Sequence, residues 1–401
     1  MALLPVEAAL ARILAKAWPM DAEEVPLDRL AGRVLATDVC ARLSQPPFDA
    51  SAMDGYAVRA QDVTTRPATL KLIGESAAGH GFAGHVRAGE TVRIFTGAPV
   101  PEGADAIVIQ ENVAADGPAI TIVDGTPDPA HVRPRGGDFK EGDVALRKGH
   151  RLTSRDVLLA AAMGHATLSC ARPPKVAILA TGDELVEPGE TPRADQIVSS
   201  NPYGLAAMLA AFGASPVRLG IARDTRESLA AKLEEAADAD ILLTIGGASV
   251  GDHDLVVPTL QDAGVTLDFW KIAMRPGKPM IFGHRDRHVV LGLPGNPVSS
   301  MICARVFAVP LVLAMLGRQP EAAQPIPAAL ATPLETNGPR THFMRALRST
   351  NGAGLPVVCP IASQDSSLMA PLATADCLVV RPPGAPALPA GASVDTLPLD
   401  F

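Results

Sequence analysis

The pattern of apolar and polar positions changes character several times along the chain, and each change marks a region. Leu3, Leu4, Val6, Leu10, Ile13 and Leu14 fall on one stripe, the 3.6-residue spacing of a helix with one buried face. Glu7 interrupts that stripe and no basic stretch precedes it, which predicts an amphipathic helix rather than a leader peptide. The helix should give way at Trp18-Pro19, and a second helical stretch is predicted over 27–39. From Ser44 to Asp138 the period shortens to β-rich runs between turns, at 68–73, 91–95, 106–110 and 119–123. Helical character returns over 151–163, with Ser154 read as its N-cap and Gly164 as its stop. The expectation is a helical discontinuous domain, residues 1–44 and 139–172, into which a β-rich domain, 45–138, is inserted.

After Arg172-Pro-Pro, apolar strands and helices alternate in the order of a parallel sheet with crossover helices. Strands are predicted at 176–180, 217–222, 241–245 and 289–293. Asn201-Pro202 and Asn296-Pro297 read as an N-cap followed by proline at the first helical position, and Asp224 with Glu227 as a capping box. Residues 173–320 therefore form an α/β domain. The most apolar stretch, 306–316, contains Pro310 and is shorter than the roughly 18 residues needed to cross a bilayer, so no membrane span is expected. Beyond Arg318-Gln-Pro320, short β-like runs separated by Pro and Gly predict a small C-terminal β-barrel or sandwich over 321–401. The fold class is multidomain, α/β plus β.

Composition narrows the partners. A chain of 401 residues exceeds the roughly 250–300 that one core supports. Its net charge of -8 supplies no global positive field for a phosphate backbone, so nucleic acid is not an expected partner. Five cysteines, with no C-x-x-C pair, fit a reducing, cytoplasmic setting better than a disulfide framework.

In an open parallel sheet, ligands bind beyond the carboxyl ends of the strands, and there the polar residues gather. Thr181-Gly-Asp-Glu184 follows one strand, Arg223-Asp224-Thr225 another, Gly246-Gly247-Ala-Ser249-Val-Gly251-Asp-His-Asp254 a third, and Pro294-Gly-Asn-Pro297-Val-Ser299 a fourth. The Gly246–Asp254 segment fits either an anion loop with Mg²⁺-binding carboxylates or a tight turn whose aspartates cap the next helix. Glu184 and Asp224 on neighbouring loops weigh toward function, because crowded carboxylates repel without a cation or a protonation shift. Arg275-Pro-Gly-Lys278-Pro279 presents two cations on a stiff turn, suited to an oxyanion or pyrophosphate. Gly79-His-Gly-Phe-Ala-Gly84 matches G-x-G-x-x-G but lacks the strand-to-helix context of a dinucleotide site. His253 is read as a loop residue, since the nine histidines show no metal spacing.

These motifs, with 46–58 (Pro-Pro-Phe-Asp-Ala-Ser-Ala-Met-Asp-Gly-Tyr-Ala-Val) and 93–101 (Arg-Ile-Phe-Thr-Gly-Ala-Pro-Val-Pro), resemble in order those of the molybdopterin molybdenumtransferases, a family similar to the C-terminal domain of gephyrin. The resemblance implies a four-domain homodimer that inserts molybdate into adenylylated molybdopterin, releases AMP with Mg²⁺ assisting, and passes the cofactor to molybdoenzymes or cofactor-processing proteins. By that resemblance Asp54, Thr96, Asp138, Glu184, Asp224 and Asp254 are catalytic, with Glu184, Asp224 and Asp254 as metal ligands. Gly246, Gly247, Ser249, Gly251, Arg275, Lys278, Pro279, Pro294, Pro297, Ser299, Arg345 and Ser366 bind substrate, Arg275, Lys278 and Arg345 supplying charge to the anion. The sequence departs from the family at Ala50, Gly137 and Ala370, the last standing where a serine near molybdate is usual. Two rivals stay in view, a pterin adenylyltransferase and a non-catalytic pterin-binding scaffold. The large flanking regions argue against the first, and the lack of a long interaction linker against the second.

Overall fold

The computed structural model describes residues 3–247, 255–318, 325–352, 354 and 356–399. The first helix, Val6–Leu14, buries Val6, Ala9 and Ile13 in the core of the α/β region rather than beside a second helix. That second helix is not formed. Residues 27–39 hold only a short 3-10 turn, Leu27–Arg29. Beyond it Gly32 takes φ +84°, while Val34 and Leu35 bridge to Arg151 and Cys170 as extended chain. Their spacing imitates a helix stripe, but the backbone groups find partners across the chain instead. Val25, Leu30, Leu35 and Val39 share one core with Phe139, Leu146, Leu152 and Met163. The helix of that region, Ser154–Ala162, is capped one residue earlier than expected, by Thr153, whose N–H donates to Asp156 Oδ2 at 2.7 Å.

Between these halves lies a six-stranded sheet in the order 106–109, 55–58, 90–94, 68–76, 119–122, 113–116. Gly55 is required where two strands approach closely, since a Cβ there would lie 2.1 Å from the Val108 carbonyl oxygen.

The α/β region is built on a second six-stranded sheet. Ser215–Ala222, Lys175–Thr181, Ile241–Ile245 and His288–Leu293 run parallel. Two antiparallel strands, Pro279–Arg285 and Thr266–Lys271, extend the far edge. Alternation sends Val176, Ile178, Leu243 and Ile245 to one face and Ala177, Leu179 and Leu242 to the other, so both faces are covered. The helix after Asp224 starts from Thr225, which accepts from the Ser228 N–H, so Asp224 is free of the capping role expected of it.

From Pro297 to Met315 the chain forms a continuous 19-residue apolar helix, longer than Pro310 suggested. Pro310 offers no N–H to the carbonyl one turn back, and a widened π turn, Ala304–Ala308, falls at that point. This helix is long and apolar enough to cross a membrane, but 83% of its apolar window is buried inside the protein, which makes it a core helix.

The last region is a closed five-stranded barrel of Ile326–Leu330, Thr341–Thr350, Pro356–Pro360, Cys377–Arg381 and Ser393–Pro398. Its long strand, Thr341–Thr350, also pairs with Met274–Arg275, which ties the barrel to the loop carrying Arg275 and Lys278.

Candidate functional site

Two clefts open side by side where the carboxyl ends of the parallel strands meet the barrel. The larger, about 840 Å³, is lined by Thr181, Glu184, Gly246, Gly247, Pro294 and Pro297, with Ile197, Val198, Ser367 and Met369 among its walls. The smaller, about 360 Å³, is lined by Arg275, Lys278, Ser299, Arg340, Gln364, Asp365 and Ser366. Pro279, Pro294 and Asn296 belong to both, so the two are neighbouring chambers of one site.

Local sequence explains the shape. Gly246, at φ +92°, ends its strand where a Cβ would meet the Thr181 carbonyl oxygen at 2.8 Å; the bare backbone leaves the large cleft open at that point. At Asn296 the amide, expected to cap its helix, makes no cap hydrogen bond. Instead it donates to Ser366 Oγ at 2.9 Å, and Val298 N–H donates to the Ser366 carbonyl at 3.1 Å. The strand-end loop of the α/β region is thereby fastened to the barrel loop that forms the opposite wall.

Charge is concentrated in the small cleft. Arg275 and Lys278 are exposed on their turn and Arg340 is half-buried. Asp365 opposes them, its carboxylate accepting from the Ser367 N–H at 2.9 Å and hydroxyl at 2.8 Å. Those bonds, the backbone N–H first, hold its pKa below the ordinary carboxylate value. Three cations and one anion leave a net charge of +2 in the cleft lining.

Arg345 requires a correction. It is 1% exposed and lines neither cleft; its guanidinium donates to the carbonyls of Leu368 at 2.8 Å and of Ser363 and Asp365 at 2.9 Å. With three of its five N–H groups spent on carbonyls and its side chain outside the lining of both clefts, Arg345 is not placed against an anion in either one. Arg345 braces the loop that carries Gln364, Asp365 and Ser366, and Arg340, five residues earlier, is the barrel's cation in the cleft. Ala370 lines neither cleft and lies in the short helix Met369–Thr374.

The carboxylates divide into groups. Glu184 lines the large cleft, while Asp224 sits on the adjoining loop, its N–H donating to Asp183 Oδ1 at 3.3 Å. Asp54 and Thr96 face each other on loops at the ends of two strands of the inserted sheet, the Thr96 N–H and hydroxyl donating to Asp54 Oδ1 at 2.7 and 2.8 Å. Those bonds, the backbone one first, lower the Asp54 pKa. Asp138 is exposed, and none of Asp54, Thr96 or Asp138 lines either cleft. Ser249, Gly251 and Asp254 lie outside the described residues, as does His253. Among the described residues no group of three or more His, Cys, Asp or Glu is placed to hold a metal. Arg340, Gln364, Asp365 and Met369 were not foreseen from sequence; they reach the site only through the closure of the barrel.

Three family profiles match the chain in order. They are the MoeA N-terminal region (domain I and II) at 4–164, a probable molybdopterin binding domain at 177–314, and the MoeA C-terminal region (domain IV) at 327–399. A molybdopterin molybdenumtransferase of Haemophilus influenzae is 35% identical over 366 residues, covering 90% of each chain. The chain belongs to the molybdopterin molybdenumtransferase family. A family relative from Staphylococcus aureus is 31% identical across 98% of this chain and 95% of its own. Among solved structures, a molybdopterin biosynthesis MoeA protein from Pyrococcus horikoshii superposes with a TM-score of 0.87 at 31% identity, covering 100% of both chains. The family's α/β region and C-terminal barrel thus match the expected fold class.

Proposed function

We propose that the chain inserts molybdate into adenylylated molybdopterin with release of AMP, taking the oxyanion in the small cleft and the pterin nucleotide in the large one. The observation that carries this reading is the net +2 of the small cleft beside a larger, less charged chamber. A tetrahedral dianion matches that charge, and it is held next to the chamber where the organic substrate would lie. Arg275, Lys278 and Arg340 supply the positive charge, and Ser299 and Ser366 supply hydroxyls. Glu184 is the carboxylate placed to orient water toward the phosphoanhydride in the large cleft.

Mg²⁺ fits this donor set, because it takes one or two carboxylates together with substrate phosphates and water. Glu184 and Asp224 would hold it, with Asp254 as a third candidate, and the ion would neutralise charge on the pyrophosphate. The five cysteines, all unpaired, suit a cytoplasmic setting. Purified protein incubated with adenylylated molybdopterin, Mg²⁺ and molybdate is expected to release AMP and load the metal. Tight pterin binding without AMP release would favour a scaffold, and formation rather than cleavage of the adenylylated pterin would favour an adenylyltransferase.

Asp54, Thr96 and Asp138 enter this reading through a second copy of the chain. None of them lines a cleft of its own protomer, so we place them over the clefts of the partner in a homodimer, where a two-fold axis would build two equivalent sites. Asp54→Asn and Lys278→Ala homodimers should each be impaired, and mixing them should restore activity through the one site in each mixed dimer that is wild-type. Failure of mixed dimers to regain any activity would put both residues in the same protomer's site.

A further inference from the structure

Strand alternation in the barrel gathers a row of basic side chains around one histidine. On Thr341–Thr350, His342 shares a face with Met344 and Ala346, residues that point into the barrel. Its register partners are Arg275 on one neighbouring strand and Arg381 on the other. Arg340 sits in the bend two residues earlier, near enough for its charge to act on the imidazole. His342 is 8% exposed, and its imidazole makes no hydrogen bond to any described residue. Arg381 is also buried and donates to the carbonyls of Glu335, Ala385 and Pro386. Arg275 and Arg340 both line the small cleft, but His342 does not.

We propose that His342 is the proton-uptake site of the anion cleft, gaining a proton when an oxyanion occupies it. The proposal rests on the cleft being the oxyanion site. With the cleft empty, burial first, then the charges of Arg275 and Arg340, hold the imidazole neutral, with its pKa pulled down to about 4. The charged groups paired with it in register or acting on it are basic: Arg275 and Arg381 from the flanking strands and Arg340 from the bend before its own. A bound dianion offsets Arg275 and Arg340, so the pKa of His342 rises in the complex. The sign follows from linkage: a group whose pKa is higher in the bound state strengthens binding as pH falls. The gain sets in below the bound-state pKa and levels off near the free-state value of about 4. His342 thereby acts as a positioning residue, neutral while the cations wait and charged only when the anion is present.

The test measures molybdate binding between pH 6 and pH 8 in buffers of different ionisation enthalpy, which counts protons taken up per anion bound. Wild-type protein should take up part of a proton at pH 6 and almost none at pH 8. Its affinity should rise several-fold over that interval, below the limit of about tenfold per unit for one proton. His342→Gln should bind molybdate at pH 8 within a few-fold of wild type but lose the uptake and flatten the pH profile. His342→Asn, equally unable to gain a proton, replaces it if the glutamine variant does not fold. Wild-type protein that binds molybdate without proton uptake overturns the proposal, as does a variant that keeps the uptake. Wild-type protein that binds no molybdate at all overturns the cleft reading beneath it.

Discussion

Replacing Arg345 by methionine should destabilise the barrel by about 3 kcal/mol and weaken anion binding together, although the guanidinium is not in the cleft. Its three acceptors are the carbonyls of Ser363, Asp365 and Leu368. A buried acceptor left without a donor costs about 1–3 kcal/mol, so even partial rescue by water leaves a large loss. The backbone adds to the brace: Arg345 N–H donates to Gln364 Oε1 at 2.9 Å, and Gln364 Nε2 donates back to the Arg345 carbonyl at 3.0 Å. Without the fork, Ser366 no longer sits against Asn296, and the wall between the two clefts loosens. Arg345→Lys should recover little, since one ammonium cannot span the three carbonyls. Thermal melting followed beside molybdate binding checks this. A variant with wild-type melting and weakened binding would return Arg345 to direct contact with the anion.

Features carried by contiguous residues were legible: the strands at 175–181 and 241–245, the Arg275–Lys278 turn, and the Pro294–Ser299 loop. Each is fixed by local spacing and backbone preference. Arg345 lies on the strand Thr341–Thr350, whose residues alternate between two faces, and Arg340 in the bend just before it. Which face meets the cleft depends on where the 363–368 loop packs, a contact no local pattern encodes. The second predicted helix failed for a related reason. Leu27, Leu30 and Val34 follow helical spacing, yet the ribbon of 22–26 with 167–171 and the bridges of Val34 and Leu35 recruit this segment into long-range pairing. Propensity gives way to tertiary context there. The large cleft was half legible: Glu184, Gly246 and Pro294 came from strand-end motifs, whereas Met369 comes from the barrel.

Lys278→Ala should raise the molybdate concentration needed for half-saturation by about tenfold while leaving the fold intact. A charge-assisted hydrogen bond contributes about 1.5–3 kcal/mol. Lys278 is exposed on its turn, so solvent screening favours the lower end of that range, near the 1.4 kcal/mol that corresponds to a factor of ten. Removing it lowers the cleft lining from +2 to +1, and the loss should shrink as ionic strength rises. Arg340→Ala is expected to cost at least as much. Its guanidinium is half-buried and also donates to the Met274 carbonyl at 3.4 Å, so that variant removes charge and loosens the strand beneath Arg275. Lysine is therefore the cleaner probe, and pterin binding should be measured in parallel because the neighbouring pyrophosphate could share this cation. If Lys278→Ala abolishes pterin binding while the molybdate dependence stays at the wild-type value, the turn belongs to the pyrophosphate. The oxyanion would then have to sit with Arg340 and Ser366, at the barrel side of the cleft.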